Sequence, residues 1–472
     1  MSKRSHLLGL VLVWSAGLVL AVGTFVYVLS QPDFLFHPAR DLELRATYDT
    51  YRQTGVLLIK PNGSGSWYGA VEGTGMTRAS GDDDPGIYLV ASLMSHLTDA
   101  SSPYTGLRWL MALVSALPML VLPAFVSALV RRTWAGLAML LVPLVALVTN
   151  HGEVLTGSNY GQSDDASLVP VYAVYALPGA IVFGSLVLLG YAYAREVSTR
   201  WLVALSIVSV AIAGFSNLLR GLSGIGVALA LGVLWFVQAR RSRRWVTAAG
   251  LGVVVAGLAA GVSLLVPKLA MDLVEQQRAD AVTVETSSTM ANAPWDNLYL
   301  GLSWPQPMTG EESTFGVPWS DEHAWARAAE ERPGTLPFTP EFDEVMREVY
   351  LDEVRAAPGK AARLYAEKTA FTAEHFAAAL GVIALGLVVV AVTARRLDPV
   401  VGRRLGVAAL IAVPTVVFGF LPPVLVMPML YYVSELVAGL AFLSVLSLAG
   451  CVWAVAALVE SRRGRASAAE GA

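Results

Sequence analysis

Three carboxylates stand in a row at Asp82, Asp83 and Asp84, closed by Pro85-Gly86. Adjacent like charges raise the pKa of one member toward a range useful for taking up a proton. Asp83 or Asp84 is therefore suited to act as general base on a hydroxyl. The same oxygens suit a divalent cation, Mg, Mn or Ca. A solvated Pro-Gly turn uses the same residues without chemistry. The apolar run 87–97 follows at once. It pins the acids at a membrane surface, where charge is costly and needs a reason.

A cation stands apart in Asn217-Leu218-Leu219-Arg220-Gly221-Leu222-Ser223-Gly224. Arg binds phosphate through a bidentate fork, and the flanking Gly and Ser leave room for one. An interfacial anchor that snorkels to lipid head groups uses Arg220 equally well. Arg108 and Lys268 are the reserve cations. The stretch 151–165 is dense in polar groups, with Tyr160 suited to stack on a sugar ring and Asp164 to complete a site. Glu435, after Tyr431-Tyr432-Val433-Ser434, is the clearest acid inside an apolar run. The six histidines show no metal-ligand spacing. Trp295, Trp304, Trp319 and Trp325 suit carbohydrate stacking or an interfacial belt. No nucleotide-binding glycine motif is present, so a nucleotide-linked donor is not expected.

The elements that must position these groups are membrane helices. Of 472 residues, 55% are hydrophobic and 15% charged, and mean hydropathy is +0.58. Soluble domains average about 25% charged residues. A net charge of −3 gives no basic field for nucleic acid. The single Cys451 excludes an intrachain disulfide. A spanning helix needs about 20 apolar residues. Ten candidates run near 7–30, 106–130, 134–149, 168–193, 201–218, 222–238, 246–266, 375–394, 405–421 and 429–458. The first is longer than a signal-peptide core and is expected to be retained.

With both termini in the cytoplasm, each short inside connection carries two or more arginines. These include Arg131, Arg132, Arg195, Arg200, Arg240, Arg241, Arg243, Arg244, Arg395, Arg396, Arg403 and Arg404. Nearly all Asp and Glu fall outside. The expected division is a first transmembrane helix at 1–30 and an extracytoplasmic loop at 31–105. Helices 2–7 follow at 106–266, a second extracytoplasmic loop at 267–374, helices 8–10 at 375–460 and a cytoplasmic tail at 461–472. The first loop carries an amphipathic helix at 42–52 and an interfacial helix at 87–97. In the second, Thr339-Pro340-Glu341 caps a helix that ends at Pro358-Gly359, and a further helix follows over 360–372. The Arg-, Ala- and Gly-rich composition suggests a bacterial plasma membrane.

An early acidic loop, then an Asp-Pro element leading into an interfacial helix, resembles the GT-C glycosyltransferases. The likeness covers about the first 110 residues and the general architecture. In that family a polytopic enzyme takes sugar from a polyprenyl-phosphate donor on the outer face. Asp41, Glu43 and Asp49 match the early acids. Asp83-Asp84-Pro85-Gly86-Ile87-Tyr88 matches the second element, without its His and second Pro. The stretch Pro294-Trp295-Asp296-Asn297-Leu298-Tyr299-Leu300-Gly301-Leu302 resembles a pattern in bacterial GT-C-like proteins and carries no assigned role. The resemblance implies that Arg220 holds the donor phosphate, that Asp83 or Asp84 is the base, and that a glycan, lipid or protein is the acceptor. Two other functions fit the chain. One is a ligase or polymerase of lipid-linked glycans working through His323. The other is a non-catalytic transporter or scaffold subunit. The transferase reading requires the first-loop carboxylates and Arg220 to share one lipid-open hollow.

Overall fold

The computed structural model describes residues 3–31, 38–64, 74–79, 85–149, 176–284, 293–396, 398–429 and 432–470. Among the described residues the protein is all-α and membrane-embedded apart from one small β-pair. Eight of the described helices are long and apolar enough to cross a bilayer.

The helix α1 (Lys3–Ser30) leads into a segment packed at one end of the bundle: α2 (Pro38–Thr54), β1 (Ile59–Pro61), β2 (Met76–Arg78) and α3 (Pro85–Leu97). It is the first of two outer segments, in the sense of lying outside the long helices. The bundle continues with α4 (Pro103–Val130), α5 (Thr133–Leu137), a 3-10 turn (Ala138–Leu141) and α6 (Val142–Thr149). It resumes with α7 (Ala176–Arg195), α8 (Thr199–Leu219), α9 (Ile225–Ala239) and α10 (Trp245–Arg278). The second outer segment holds α11 (Pro294–Leu300), α12 (Gln306–Thr309), α13 (Asp321–Glu331), α14 (Pro340–Ala356) and α15 (Pro358–His375). The last spans are α16 (Ala377–Arg396), α17 (Pro399–Leu425) and α18 (Ser434–Glu470).

Eight of the ten expected spans meet the length and hydropathy of a crossing helix. The other two come out shorter, as Thr133–Ala146 and Ile225–Ala239. In the first, Pro143 lacks the N–H that would continue an α ladder, and a 3-10 turn precedes it. In the second, the 221–224 turn removes three residues from the expected helix, because Gly224 is pressed against the Ala213 carbonyl.

Among membrane helices, close packing rather than water exclusion holds the bundle together. A Cβ at Gly17 of α1 would lie 2.2 Å from the Leu120 carbonyl oxygen of α4. Gly232 of α9 and Gly252 of α10 face each other's backbone oxygens at 2.7 and 2.9 Å in the same sense. Phe125 of α4 stacks on Phe442 of α18 at 5.7 Å in the centre. The remaining surface is apolar too: Val253 of α10 is 72% exposed and Leu8 of α1 60%. Such a surface suits contact with lipid tails.

Both outer segments are docked to the bundle. β1 and β2 pair antiparallel, Ile59 opposite Arg78. The hairpin lies against the projecting end of α10, with Arg78 paired to Glu275 at 2.6 Å. Arg278 donates to the Leu58 carbonyl at 3.0 Å. In α14, Phe342, Val345, Met346 and Val349 are buried at i, i+3, i+4, i+7, the spacing of one helix face. They pack on Leu300, Leu302, Ala324 and Ala328. Thr339 accepts from the Phe342 N–H at 3.2 Å, the expected N-cap. The helix ends at Ala356, before Pro358, also as expected. Trp304, Trp319, Trp325 and Trp295 pack in the cores of this outer segment. The helix α3 is buried at every position from Gly86 to Ser92 against α2, α4 and α8, while Leu93 and Leu97 toward its end are exposed.

Candidate functional site

The helix ends sort into two layers. At one end lie α2, α3, the hairpin and the second outer segment, with the 220–224 turn. At the other lie the arginine-rich ends of α1, α4, α7 and α17. Of the groups expected to do chemistry, Arg220 and Tyr88 belong to the first end.

Arg220 caps α8 in extended backbone, its N–H donating to the Ser216 carbonyl at 2.9 Å. The turn behind it is pinned by buried side chains. Asn217 accepts from the Gly224 N–H at 2.6 Å and donates to Ser263 of α10 at 3.2 Å. Ser216 and Ser223 share a 2.7 Å hydrogen bond. Leu222 takes a left-handed φ of 70°, a conformation costly for a side chain other than Gly and held by these contacts. A Cβ at Gly221 would meet nothing within 4 Å. The guanidinium is thus presented on a fixed support, as a binding group requires.

Its partner is Tyr432. The guanidinium lies over that ring at 5.1 Å from the centroid. The Tyr432 hydroxyl donates to the Asn297 Oδ1 at 3.3 Å. Three separated stretches therefore meet: the 217–224 turn, the 294–302 stretch and the approach to α18. Glu435, in the first turn of α18, is buried. Neither its Oε1 nor the Ser434 hydroxyl has a hydrogen-bond partner among the described residues. A buried carboxylate oxygen left unbonded is costly and points to water, an ion or a ligand.

The first outer segment reaches the same corner. A Cβ on Gly86 would sit 1.9 Å from the Leu218 carbonyl oxygen, so the start of α3 touches the last turn of α8. Tyr88 is buried in that first turn. Asp83 and Asp84 lie outside the described residues, as do Tyr160 and Asp164. Among the described residues no three His, Cys, Asp or Glu side chains converge as metal ligands. The cation expectation rests on the Asp82–Asp84 cluster, which is not among them.

Two of the early acids make contacts within the described residues. Asp41 pairs with Arg45 at 3.0 Å and accepts a hydrogen bond from the Tyr104 hydroxyl, tying α2 to α4. Arg108, half-buried, is one turn beyond Tyr104 on the same face of α4. Glu43 is buried and pairs with Lys60 of β1 at 2.7 Å. Asp49 is exposed on α2. Lys268 is exposed on α10.

Residue-type reasoning missed Tyr432, Asn297, Lys60 and Lys368. Lys368 of α15 is fully buried and donates to the Gly301 and Val426 carbonyls at 2.7 and 2.6 Å. It clamps the second outer segment to the end of α17. Burial pulls its pKa from 10.5 down to about 7. His323 is 3.3 Å from the Tyr299 hydroxyl and stacks on that ring, inside the outer segment. Burial pushes the Tyr299 phenol up to about 12. Glu322 accepts from Ser320 at 2.7 Å, and that bond holds its carboxyl below the ordinary value.

Compared with protein-family models, curated proteins and solved structures, the chain matches none.

Proposed function

We propose that this protein is a membrane glycosyltransferase of GT-C type that moves a sugar from a polyprenyl-phosphate donor to a glycan, lipid or protein acceptor. The observation that carries the reading is the support of Arg220. Its turn is pinned by Asn217, Ser216 and Ser223, and its guanidinium rests on Tyr432. The helix that follows Asp82, Asp83 and Asp84 in sequence packs on the same turn of α8.

In the proposed reaction the acceptor hydroxyl oxygen attacks the anomeric carbon as the bond from that carbon to the phosphate oxygen breaks. Asp83 or Asp84 takes the hydroxyl proton. The electron pair leaves with the polyprenyl phosphate, whose charge Arg220 stabilises. The sugar carbon inverts. Glu435 is a further carboxylate on the same side of the bundle.

The reading also places ten crossings in a bacterial plasma membrane, both termini inside and the site outside. The short α9 supports that count. It begins beside Ala213 near the Arg220 turn, and its far end leads to Arg241, which pairs with Glu196 after α7 at 3.7 Å.

The test is sugar transfer from a lipid-linked donor in purified Asp83→Asn, Asp84→Asn and Arg220→Ala variants. Loss of one positioned charged group is expected to lower the rate about 10²–10³-fold. Full activity in both Asp variants removes the base assignment. Loss of activity in His323→Ala alone moves the reading to a glycan ligase or polymerase. Folded wild-type protein that transfers no sugar and purifies in a fixed complex favours a scaffold or transporter subunit.

A further inference from the structure

The end of the bundle opposite Arg220 holds a second hollow. A cavity of about 400 Å³ lies between the start of α1, the ends of α4 and α7, and the start of α17. Arg131, Arg132, Arg195 and Arg404 line it, with Glu196 as the acid among them. Glu196 is shared by Arg131 at 3.9 Å and Arg241 at 3.7 Å. Arg132 pairs with Glu460 at 3.0 Å. Among these described residues five guanidiniums share two carboxylates, so the hollow carries a positive excess.

Arg404 is the anchor. It is 7% exposed. One nitrogen donates to the Ala194 carbonyl at 2.5 Å, which fixes the guanidinium. It has no carboxylate within ion-pair distance among the described residues. A buried guanidinium without an acid is costly unless an anion completes it. A phosphate oxygen pair fits a guanidinium fork. The volume falls at the small end of ligand pockets, the scale of a lipid head group.

The other wall identifies the source of that phosphate. Leu10 and Val13 of α1 face the cavity. Ala124 and Ala128 of α4 line it as well, so an apolar wall stands beside the basic one. A molecule with its phosphate on Arg404 and its apolar part against Leu10 and these α4 residues satisfies both surfaces at once. Basic hollows between membrane helices are suited to acidic head groups. We propose that this hollow binds the phosphate of an anionic membrane lipid at the arginine-rich end of the bundle, independently of any sugar transfer at the other end.

The probe is native mass spectrometry of the full chain released from detergent. Phosphatidylglycerol and phosphatidylcholine are titrated at equal concentration, with millimolar inorganic phosphate as competitor. Wild-type protein is expected to retain the anionic lipid about tenfold better than the zwitterionic one. Arg131 and Arg195 are exposed, so Arg131→Gln with Arg195→Gln leaves packing intact and is expected to lower that retention about tenfold. Arg404→Met is expected to abolish the preference. If that variant does not fold, the double variant decides alone. Equal retention of the two lipids, or an unchanged double variant, overturns the proposal. Displacement of the lipid by inorganic phosphate assigns the hollow to a soluble anion and overturns the lipid assignment.

Discussion

Glu43 and Lys60 make the sharpest test of how the first outer segment is built. Their charged atoms are 2.7 Å apart, and their side chains are 4% and 1% exposed. At an effective dielectric of about 20, two unit charges at that separation attract by about 6 kcal/mol. Desolvation of both ions offsets much of that, so the intact pair contributes little net stability. Breaking it is another matter. Lys60→Met leaves a carboxylate in a site built for a pair, and Glu43→Gln leaves an ammonium there. Each is expected to cost about 3–5 kcal/mol. By contrast, the Asp41–Arg45 pair has side chains 30% and 49% exposed. Its loss is expected to cost about 1 kcal/mol or less. The double variant Glu43→Leu with Lys60→Met removes both charges and is expected to be more stable than either single variant. Tryptophan fluorescence during thermal unfolding in detergent reads the difference. Single variants should melt lower by about 3–5 °C, and limited proteolysis should cut first near the hairpin. Single variants that melt with wild type refute the buried-pair reasoning. The cycle also separates two roles for Glu43. If its work is structural, the double variant keeps sugar transfer; if it holds substrate, the double variant folds but does not transfer.

Three further outcomes follow from the geometry. Lys368 is held at about 7 against an ordinary 10.5. Between those pH values the unfolded chain binds the extra proton, so stability should rise with pH across that window, at most about 1.4 kcal/mol per unit. Below pH 7 both states are protonated and this contribution is flat. Lys368→Met should remove the rise in melting curves taken from pH 7 to 10; an identical slope in both proteins rejects the assignment. Arg220→Lys keeps the charge and loses the planar fork, so transfer should fall less than in Arg220→Ala yet stay about tenfold or more below wild type. Equal activity of the Lys variant and wild type argues against bidentate phosphate binding. Asn217→Ala strands the Gly224 N–H and removes the donor to Ser263, whose own hydroxyl still donates to the Ala260 carbonyl, at an expected cost of about 1–3 kcal/mol. It should also weaken donor binding without a change at residue 220; unaltered stability shows that the turn has other support.

Periodicity and hydropathy made eight long spans legible, because each is a run long enough to cross by itself. Local chemistry made the α14 cap and the break before Pro358 legible, since both depend on adjacent residues. The shorter helices were not, because hydropathy does not register a 3-10 turn or a glycine pressed on a neighbouring carbonyl. The strands escaped notice as well: three residues each, one ending in Pro61, they are held by cross-strand bonds and by α10. Continuation of α10 through Pro267 to Arg278 reflects its tertiary support from Arg78 and the hairpin. At the site, Arg220 was readable as a lone cation on a turn. Its contact with Tyr432 was not, since the two are far apart in the chain and an aromatic near a membrane surface has many uses. Lys60 was unreadable for a related reason, because nothing local distinguishes a buried lysine from a solvated one before its partner is placed.

Arginine is used differently at the two ends of this bundle, and the difference follows from what surrounds it. At the α4 and α7 ends, Arg131 is mostly exposed and its nearest acid is 3.9 Å away. Such a residue contributes charge, and a lysine can replace much of that contribution. Arg404 and Arg220 are fixed in place instead, one by the Ala194 carbonyl and the other by the Tyr432 ring. For them the planar fork matters as well as the charge. Lysine substitution across the exposed arginines should therefore preserve membrane insertion and lipid preference. The same change at Arg404 should weaken the lipid preference alone, and at Arg220 sugar transfer alone. If both ends responded alike to lysine, a general requirement for positive charge would explain the arginines, and neither would mark a built site.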